Sequence, residues 1–265
     1  MDKPKRETKI SNEILKNLLL DNNTIQIKLF LMILNKAISK HYAVMKNNYG
    51  EVDEIDREVT LSMEFINKYK GSKRLTTREL LEFMNEIDVR IRFEEKGEKI
   101  RVVNVLSSVE FDDYEFTIKF NKDAIKYLIL IANNYSVIDL EILKNLTGKY
   151  EIGLYVMDCM YNNLKSRTRI FAIDDFKKFI GINVKKNNDM TRRIDKAILK
   201  LKDENINLSY SVKKTGNKIS HLVFEMESKP MERKIVKSEK KLINTENKKE
   251  VEEDKKDLGF IKDWD

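Results

Sequence analysis

The sequence predicts an α+β fold of two tandem winged-helix domains followed by a disordered C-terminal tail. Three observations support this prediction. Each half of the chain shows a helix, a second helix and a β-hairpin in the same order. The apolar positions of the second helix superpose between the halves at one constant offset, which indicates a duplicated unit. The segment from Lys165 to Lys218 holds 15 Lys/Arg against 6 Asp/Glu, although the whole chain has a net charge of only +7.

The overall composition excludes several classes of protein. With 265 residues, the chain is long enough for two domains with separate cores. Its single cysteine, Cys159, excludes a disulfide within the chain and a cysteine-based zinc site. The longest purely apolar run, 127–132, is far too short to span a membrane. Since the N-terminus also lacks the apolar segment of a secretory signal, we expect a cytoplasmic protein.

The first half begins with a short basic arm, residues 1–9, which we expect to be disordered. Apolar residues at helical spacing then predict a long helix from about Thr24, a plausible N-cap, to Lys40. The elements predicted after it are a strand at 58–61, a helix from Ser62 to Tyr69, a helix from Thr76 to Ile87, a hairpin of strands 89–94 and 100–111 around Gly97, a strand at 114–120 and an apolar helix at 121–132. They form the first predicted winged-helix domain, residues 10–134.

The second half, residues 135–228, repeats this plan as a second winged-helix domain. Its predicted elements are a helix at 149–164, a helix opened by Asp174 or Asp175 and ended by Gly181, a helix capped by Asp189 and reaching about Glu204, and a hairpin of strands 208–212 and 219–226 around Gly216. We align the Gly97 turn with the Gly216 turn. Residues 229–265 carry 11 basic and 10 acidic side chains with few apolar ones, which predicts a disordered tail.

The helix at 189–204 carries the sharpest functional signal. Its core-facing positions are Ile194, Ala197, Ile198 and Leu201. At 100° per residue, the cations on the opposite side or at its flank are Arg192, Arg193, Lys196 and Lys200. Such a helix fits the major groove of DNA, where Arg or Lys can pair with guanine. Asn188, just before the predicted cap, could reach a base or a phosphate, and a merely solvated polar face is the plain alternative.

The predicted hairpin tip, or wing, adds a second basic feature. Lys213, Lys214 and Lys218 surround Gly216, where they could follow the phosphate backbone. Residues 172–224 hold 12 basic and 6 acidic side chains, whereas 62–111 hold 10 and 9 and their predicted wing at 94–99 is net acidic. We therefore expect the second domain to dominate DNA affinity. The candidate phosphate contacts in the first domain are Lys73, Arg74 and Arg78.

No motif predicts catalysis, a cofactor or a bound metal. The chain has no G-x-x-x-x-G-K-[ST] sequence, which argues against a P-loop ATPase. Its two histidines, His41 and His221, are far apart in sequence, so a nicking enzyme with a His-x-His site has no ligands. We expect no catalytic residues, no metal ligands and no cofactor.

Three stretches resemble the theta-type plasmid replication initiators, the initiator RepB family of iteron-binding proteins. They are 10–15 (ISNEIL), 146–155 (LTGKYEIGLY) and 193–198 (RIDKAI), the last followed by the hairpin at 208–226. Gly153 stands where the family usually has Arg, and Lys196 stands where it usually has Pro. Lys200-Leu201 replaces a usual Glu-Ile pair.

The resemblance implies tandem winged helices, of which the second reads a directly repeated origin element and the first supports dimerisation and further backbone contacts. It also implies monomers that bind origin repeats, in equilibrium with homodimers that repress their own promoter. The implied further partners are the host replication initiator and the replicative helicase, loaded at an opened AT-rich stretch, with no membrane partner. The alternatives left open are a dedicated winged-helix transcriptional repressor, a DNA-nicking enzyme and a scaffold with a basic face.

Overall fold

The computed structural model describes residues 7–47, 57–71, 75–95, 99–129, 135–161 and 167–226. They belong to one compact unit that ends at Glu227. The predicted contacts Lys73 and Arg74, the Gly97 turn, the end of the 149–164 helix and the tail at 229–265 lie outside these residues. No helix in the described ranges is both long enough and apolar enough to cross a membrane.

The first repeat contains six strands and five helices in the part that the structure describes. They are β1 Glu7–Ser11, α1 Asn12–Asp21, α2 Thr24–Asn47, β2 Glu58–Ser62, α3 Met63–Tyr69, α4 Thr77–Asn85, β3 Arg90–Glu95, β4 Lys99–Asn104, β5 Leu106–Asp112, β6 Glu115–Phe120 and α5 Lys122–Ile129.

The second repeat follows the same order, without a counterpart of the β3–β4 hairpin or of α5. Its elements are β7 Tyr135–Asp139, α6 Leu140–Asn145, α7 Lys149–Tyr161, β8 Thr168–Ala172, α8 Ile173–Ile180, α9 Asn187–Asp203, β9 Leu208–Thr215 and β10 Lys218–Met226. The antiparallel sheet orders are β2-β6-β5 in the first repeat and β8-β10-β9 in the second. Each sheet thus has the strand before the helix pair at one edge and the wing hairpin beside it. The predicted tandem winged-helix fold is confirmed.

The alignment of the two wings at Gly97 and Gly216 is wrong. β3 and β4 form a separate two-stranded hairpin, inserted between α4 and β5. The chain leaves it at the fully buried Val105, whose N–H donates to the carbonyl of Val89 (2.8 Å) and whose carbonyl accepts from the N–H of Asn121 (2.9 Å). This bend divides the predicted strand 100–111, and no Gly or Pro marks it in the sequence. The true first wing is the β5–β6 turn at Asp113-Tyr114.

The prediction of a disordered arm at 1–9 is wrong for residues 7–9. They belong to β1, which pairs antiparallel with β7, with Ile10 opposite Ser136. Thr8 and Ile10 are both fully buried. The partner strand lies more than a hundred residues away, so no local pattern indicated the pairing. The sequence reasoning also missed α1, β7, α6 and β8.

Helix capping explains most of the observed helix starts. Ser62 caps α3 as predicted, with its hydroxyl accepting from the N–H of Phe65 (3.2 Å). α2 is capped by Asn23 rather than Thr24, because the Asn23 side chain accepts from the N–H groups of Ile25 (2.9 Å) and Gln26 (3.0 Å).

The two acidic caps predicted in the second repeat are wrong. Ala172 and Lys186 occupy the N-cap positions of α8 and α9, without a side-chain hydrogen bond. Asp174, Asp175 and Asp189 lie instead in the first turns, where a negative charge interacts favourably with the helix dipole. α9 consequently begins at Asn187, and Asn188 is helical.

The two repeats share one apolar core, to which α7 contributes. The sequence predicted one buried face for this helix, but nearly every residue from Tyr150 to Met160 is buried. The glycine at 153 has a packing reason: a Cβ built there would lie 2.5 Å from Cδ1 of Ile180 in α8. A side chain at this position would therefore displace Ile180 from its place in the α7–α8 contact.

In each repeat, the C-terminal end of the first helix, α1 or α6, accepts a hydrogen bond from a lysine of the other repeat. Lys149 of α7 donates through its ammonium to the carbonyl of Asn22, at the end of α1. Lys28 of α2 donates to the carbonyl of Lys144, in the last turn of α6 (3.0 Å). Both contacts satisfy a carbonyl that a helix end leaves without an intrahelical partner.

Two glycines form reciprocal contacts of the same kind between the repeats. Gly181 ends α8 with φ +69°, and a Cβ there would lie 2.3 Å from the carbonyl oxygen of Leu19. Gly71 follows α3 with φ +88°, and a Cβ there would lie 3.1 Å from the carbonyl oxygen of Lys144. Each helix pair thus turns at a glycine that packs against the first helix of the other repeat. The two repeats therefore support each other's geometry.

Candidate nucleic-acid interface

The buried face of α9 determines which of its side chains face solvent. The core anchors are Met190, Ile194, Ala197, Ile198 and Leu201. Arg192, Arg193 and Lys196 are exposed, as their positions on the helical wheel predicted, and Asn188, in the first turn of α9, is exposed as well. The side chain of Lys200 is 42% exposed and lies at the edge of this face. Leu199 is 63% exposed on the same helix.

The cations of α9 differ in their partners. Arg192 lies 3.6 Å from the carboxylate of Asp189, and Lys200 lies 3.8 Å from that of Asp203. Such exposed pairs are weak, so a phosphate or a base edge can compete for either cation. Arg193 and Lys196 form no ion pair with any residue that the structure describes. Together with Lys202, which is also exposed and forms no ion pair with a described residue, they are the cations of this helix most available to an incoming anion.

Arg193 and Lys196 also border a concavity of about 400 Å³. Its other walls are the first turn of α7 and the turn at 182–184, which connects α8 to α9. Arg193 therefore faces a pocket between helices, and this placement differs from that of Arg192, which pairs along the helix surface. The sequence placed Arg193 at the flank of the predicted groove-facing side but indicated no pocket.

α9 is attached to the wing hairpin by a tyrosine that the sequence reasoning missed. The hydroxyl of Tyr210, on β9, donates to Oδ1 of Asp195 (2.9 Å). Its ring stacks on Phe224, with centroids 5.7 Å apart. Burial and the hydrogen bond to Asp195 raise the pKa of Tyr210, so this hydroxyl stays protonated. The inward position of Tyr210, two residues after buried Leu208, was the available signal.

The second wing projects three lysines into solvent. Lys213, Lys214 and Lys218 are exposed and form no ion pair with a described residue. The tip turns at Gly216, whose φ of +61° lies in the region that glycine adopts at little cost. A register shift between Ile219 and His221 increases the bend of β10 just behind the tip.

The first repeat presents a different surface on the same elements. On α4, the exposed Arg78 is paired with Glu82 (3.0 Å), and Glu79 and Glu86 are also exposed. The first wing contains Asp112-Asp113-Tyr114, and Tyr114 is 80% exposed. Of the three phosphate contacts predicted here, only Arg78 lies within the described residues.

Acidic and histidine side chains do not converge on a metal site in the ranges that the structure describes, where no group of three His, Cys, Asp or Glu residues is close enough to hold an ion.

Comparison with protein families matches both repeats. Residues 7–159 match the model described as Initiator Replication protein, WH1, and residues 172–226 match the model described as Initiator Rep protein, WH2. These models divide the chain between 159 and 172, and the boundary at 134/135 stays a prediction. No curated protein matches the sequence.

A solved structure shares the fold. The crystal structure of Pi initiator protein in complex with iteron DNA superposes with a TM-score of 0.62 and 16% sequence identity. The match covers 86% of this chain and all of that chain. At this identity, the likeness supports the tandem winged-helix architecture.

Proposed function

The chain belongs to the initiator replication protein family, and we propose that it starts plasmid replication by binding directly repeated origin sequences, or iterons. The observation that carries this proposal is the solvent-facing set of cations on α9, next to the lysine-bearing wing of the same repeat. The shared fold with an initiator that was crystallised on iteron DNA supports it. The family membership also argues against an enzymatic role, and we propose that the protein binds DNA without altering it covalently.

In this proposal, α9 enters the major groove and the wing follows the backbone. Arg192 lies in the second turn of α9, within the part that contacts base edges in helix-turn-helix proteins, and Lys196 lies one turn further along the same face. Lys213, Lys214 and Lys218 neutralise phosphates and release the counterions bound to them. With about 6–10 phosphate contacts, affinity should fall about 10³–10⁵-fold between 50 and 200 mM salt.

The other partners follow from the same family membership and are part of the proposal. Monomers bind the origin repeats, and homodimers repress the promoter of the gene. The first repeat supports dimerisation and adds contacts to the DNA backbone. The protein recruits the host replication initiator and the replicative helicase in the cytoplasm, at an AT-rich stretch beside the repeats.

A footprint on the DNA that flanks the gene tests this function. We expect protected direct repeats of roughly 20 base pairs, spaced by whole helical turns of about 10.5 base pairs, so that successive monomers lie on one side of the duplex. A plasmid carrying that DNA as its sole origin should replicate only where the protein is supplied.

Three results would contradict the proposal. Protection of one inverted repeat, without replication of the plasmid, would assign the chain as a dedicated repressor. Relaxation of supercoiled plasmid in the presence of a divalent metal would assign it as a nicking enzyme. A flat dependence of affinity on salt would exclude the electrostatic mode of binding.

A further inference from the structure

The pocket beside α9 combines three features that suit a phosphate group. It lies between the first turn of α7, the turn at 182–184 and the side of α9 that carries Arg193 and Lys196. Both cations are exposed, and neither has an ion-pair partner among the described residues. α7 is 13 residues long and directs its positive N-terminal end at this pocket.

An independent observation comes from Tyr150, in the first turn of α7. Its side chain borders the pocket and is only 7% exposed. Its hydroxyl forms no hydrogen bond within the part of the chain that the structure describes. Buried hydroxyl groups are nearly always hydrogen-bonded, so this group calls for an acceptor. Burial raises the pKa of Tyr150, with Arg193 partly opposing the shift, and the hydroxyl therefore remains a donor at neutral pH.

One acidic residue, Glu151, lines the pocket, and one of its two carboxylate oxygens is engaged. Oε2 of Glu151 accepts from the backbone N–H groups of Thr147 (2.7 Å) and Gly148 (3.1 Å). The carboxylate of Asp189, which is near Tyr150, pairs with Arg192. Among the donors that remain for an anion are Arg193, Lys196 and the Tyr150 hydroxyl.

We infer that this pocket is an anchor for one phosphate of the DNA backbone, held by Arg193 and by the hydroxyl of Tyr150. The inference rests on the proposed function and changes the role expected of Arg193. Instead of reading a base, Arg193 fixes the depth and register of α9 in the groove, while Lys196 stands between the pocket and the base edges. A free phosphorylated molecule shares the same chemistry, and a volume of about 400 Å³ would also admit a mononucleotide.

Single neutral linkages in the DNA test the anchor. The probe is a duplex selected by the full chain from random sequence, prepared with one methylphosphonate at each position in turn. One linkage should weaken binding by wild-type protein about tenfold at 0.1 M salt, the effect of one phosphate contact. At that linkage, the loss should fall below twofold in Arg193→Gln. Tyr150→Phe, which removes only the hydroxyl, should reduce the loss to an intermediate value.

Two controls separate this site from a general effect of charge and from misfolding. Lys202→Gln removes an exposed cation of the same helix that does not border the pocket, and it should leave the loss at that linkage tenfold. Thermal unfolding should give the same midpoint for wild-type protein and for Arg193→Gln. The amide resonances of Gly148 and Tyr150, followed during addition of inorganic phosphate or AMP, report binding of a free anion.

The outcomes distinguish this inference from the proposed function. If the wild-type chain selects a sequence but no linkage couples to Arg193, the anchor is wrong while sequence-specific DNA binding stands. If AMP shifts both resonances to saturation below 1 mM and the methylphosphonate series is flat, the ligand is a free nucleotide, and the inference is also overturned. If no duplex is selected at all, the proposed function fails first.

Discussion

The two winged helices of this chain share their topology and differ in the charge of the same two elements. α9 exposes Arg192, Arg193 and Lys196 beside Asp195 and Asp203, whereas the equivalent helix α4 exposes Glu79 and Glu82 around one paired arginine, with Glu86 at its C-cap. The second wing carries three lysines that form no ion pair with a described residue, and the first carries Asp112 and Asp113. The two repeats share their topology, but the exposed cations that form no ion pair with a described residue cluster on α9 and the wing of the second repeat.

This difference shows that a winged helix is a scaffold whose partner is decided by its exposed residues. The buried sets are alike in both repeats, because each must cover its sheet with a helix pair. The exposed sets are free to diverge, since surface charges contribute little to stability. The acidic face formed by α4 and the first wing suits contacts with protein, in line with the dimerisation that we propose for the first repeat.

The largest expected effect is a loss of folding stability when a glycine at the contact between the two repeats is replaced. Gly181→Ala should lower the free energy of unfolding by about 4 kcal/mol, because the new Cβ meets a backbone carbonyl at 2.3 Å and the residue has a positive φ. Gly71→Ala, with 3.1 Å to its nearest carbonyl, should cost about 2 kcal/mol. Urea unfolding measures both.

Gly216→Ala is the matched control for these two substitutions. It has a similar positive φ but no atom within 4 Å of the added Cβ, so only the backbone strain of about 1 kcal/mol remains. Equal losses for Gly181→Ala and Gly216→Ala would show that the contact between the repeats contributes nothing.

The next effect is on the wing of the second repeat. Replacing Lys213, Lys214 and Lys218 by Ala should lower affinity for any duplex by about 10²–10³-fold at 0.1 M salt and reduce the salt slope by about 2.7. A gel-shift series at several salt concentrations measures both quantities. The charge-matched control removes three exposed lysines of the first repeat: Lys16, Lys36 and Lys122. An equal loss in this control would mean that net charge, rather than the wing, governs binding.

The reciprocal lysines predict a pH dependence of stability. Burial lowers the pKa of Lys28 to about 8, although Glu151 partly opposes the shift. Between pH 8 and 10.5 the unfolded state therefore binds more protons, and stability should rise with pH. Relative to Lys28→Met, the wild-type free energy of unfolding should increase by about 2 kcal/mol across this range, allowing for solvent screening. Parallel pH dependences of the two proteins in urea unfolding would refute a buried, perturbed lysine.

Local signals in the sequence predicted the parts of the fold that depend on neighbouring residues. The 3.6-residue spacing of apolar positions located α9 and its exposed face, Ser62 marked the start of α3, and Gly181 marked the end of α8. In each case, the physical cause lies within a few residues of the element itself. The basic face of α9 was therefore accessible from sequence alone.

The parts that the sequence did not predict depend on distant partners. β1 is stabilised by β7, and the bend at Val105 is stabilised by hydrogen bonds to Val89 and Asn121. The pocket beside α9 exists because α7 packs against α9. The periodicity of apolar residues along α9 contains no information about that neighbouring helix. Tyr150 lies in the stretch that carried the family resemblance, which was the one signal that could have identified it.

The smallest expected effect separates reading of bases from attraction to the backbone. Lys196→Ala should weaken binding to the selected duplex by about tenfold, the value of one base contact, and binding to unrelated duplex by less than about threefold. Arg78→Ala, on the equivalent helix of the first repeat, should weaken both duplexes equally, because its expected contact is with a phosphate. Fluorescence anisotropy with both duplexes gives the four ratios. Equal losses for Lys196→Ala on the two duplexes would indicate that Lys196 contacts the DNA backbone. The two repeats would then differ in charge and not in their ability to read bases.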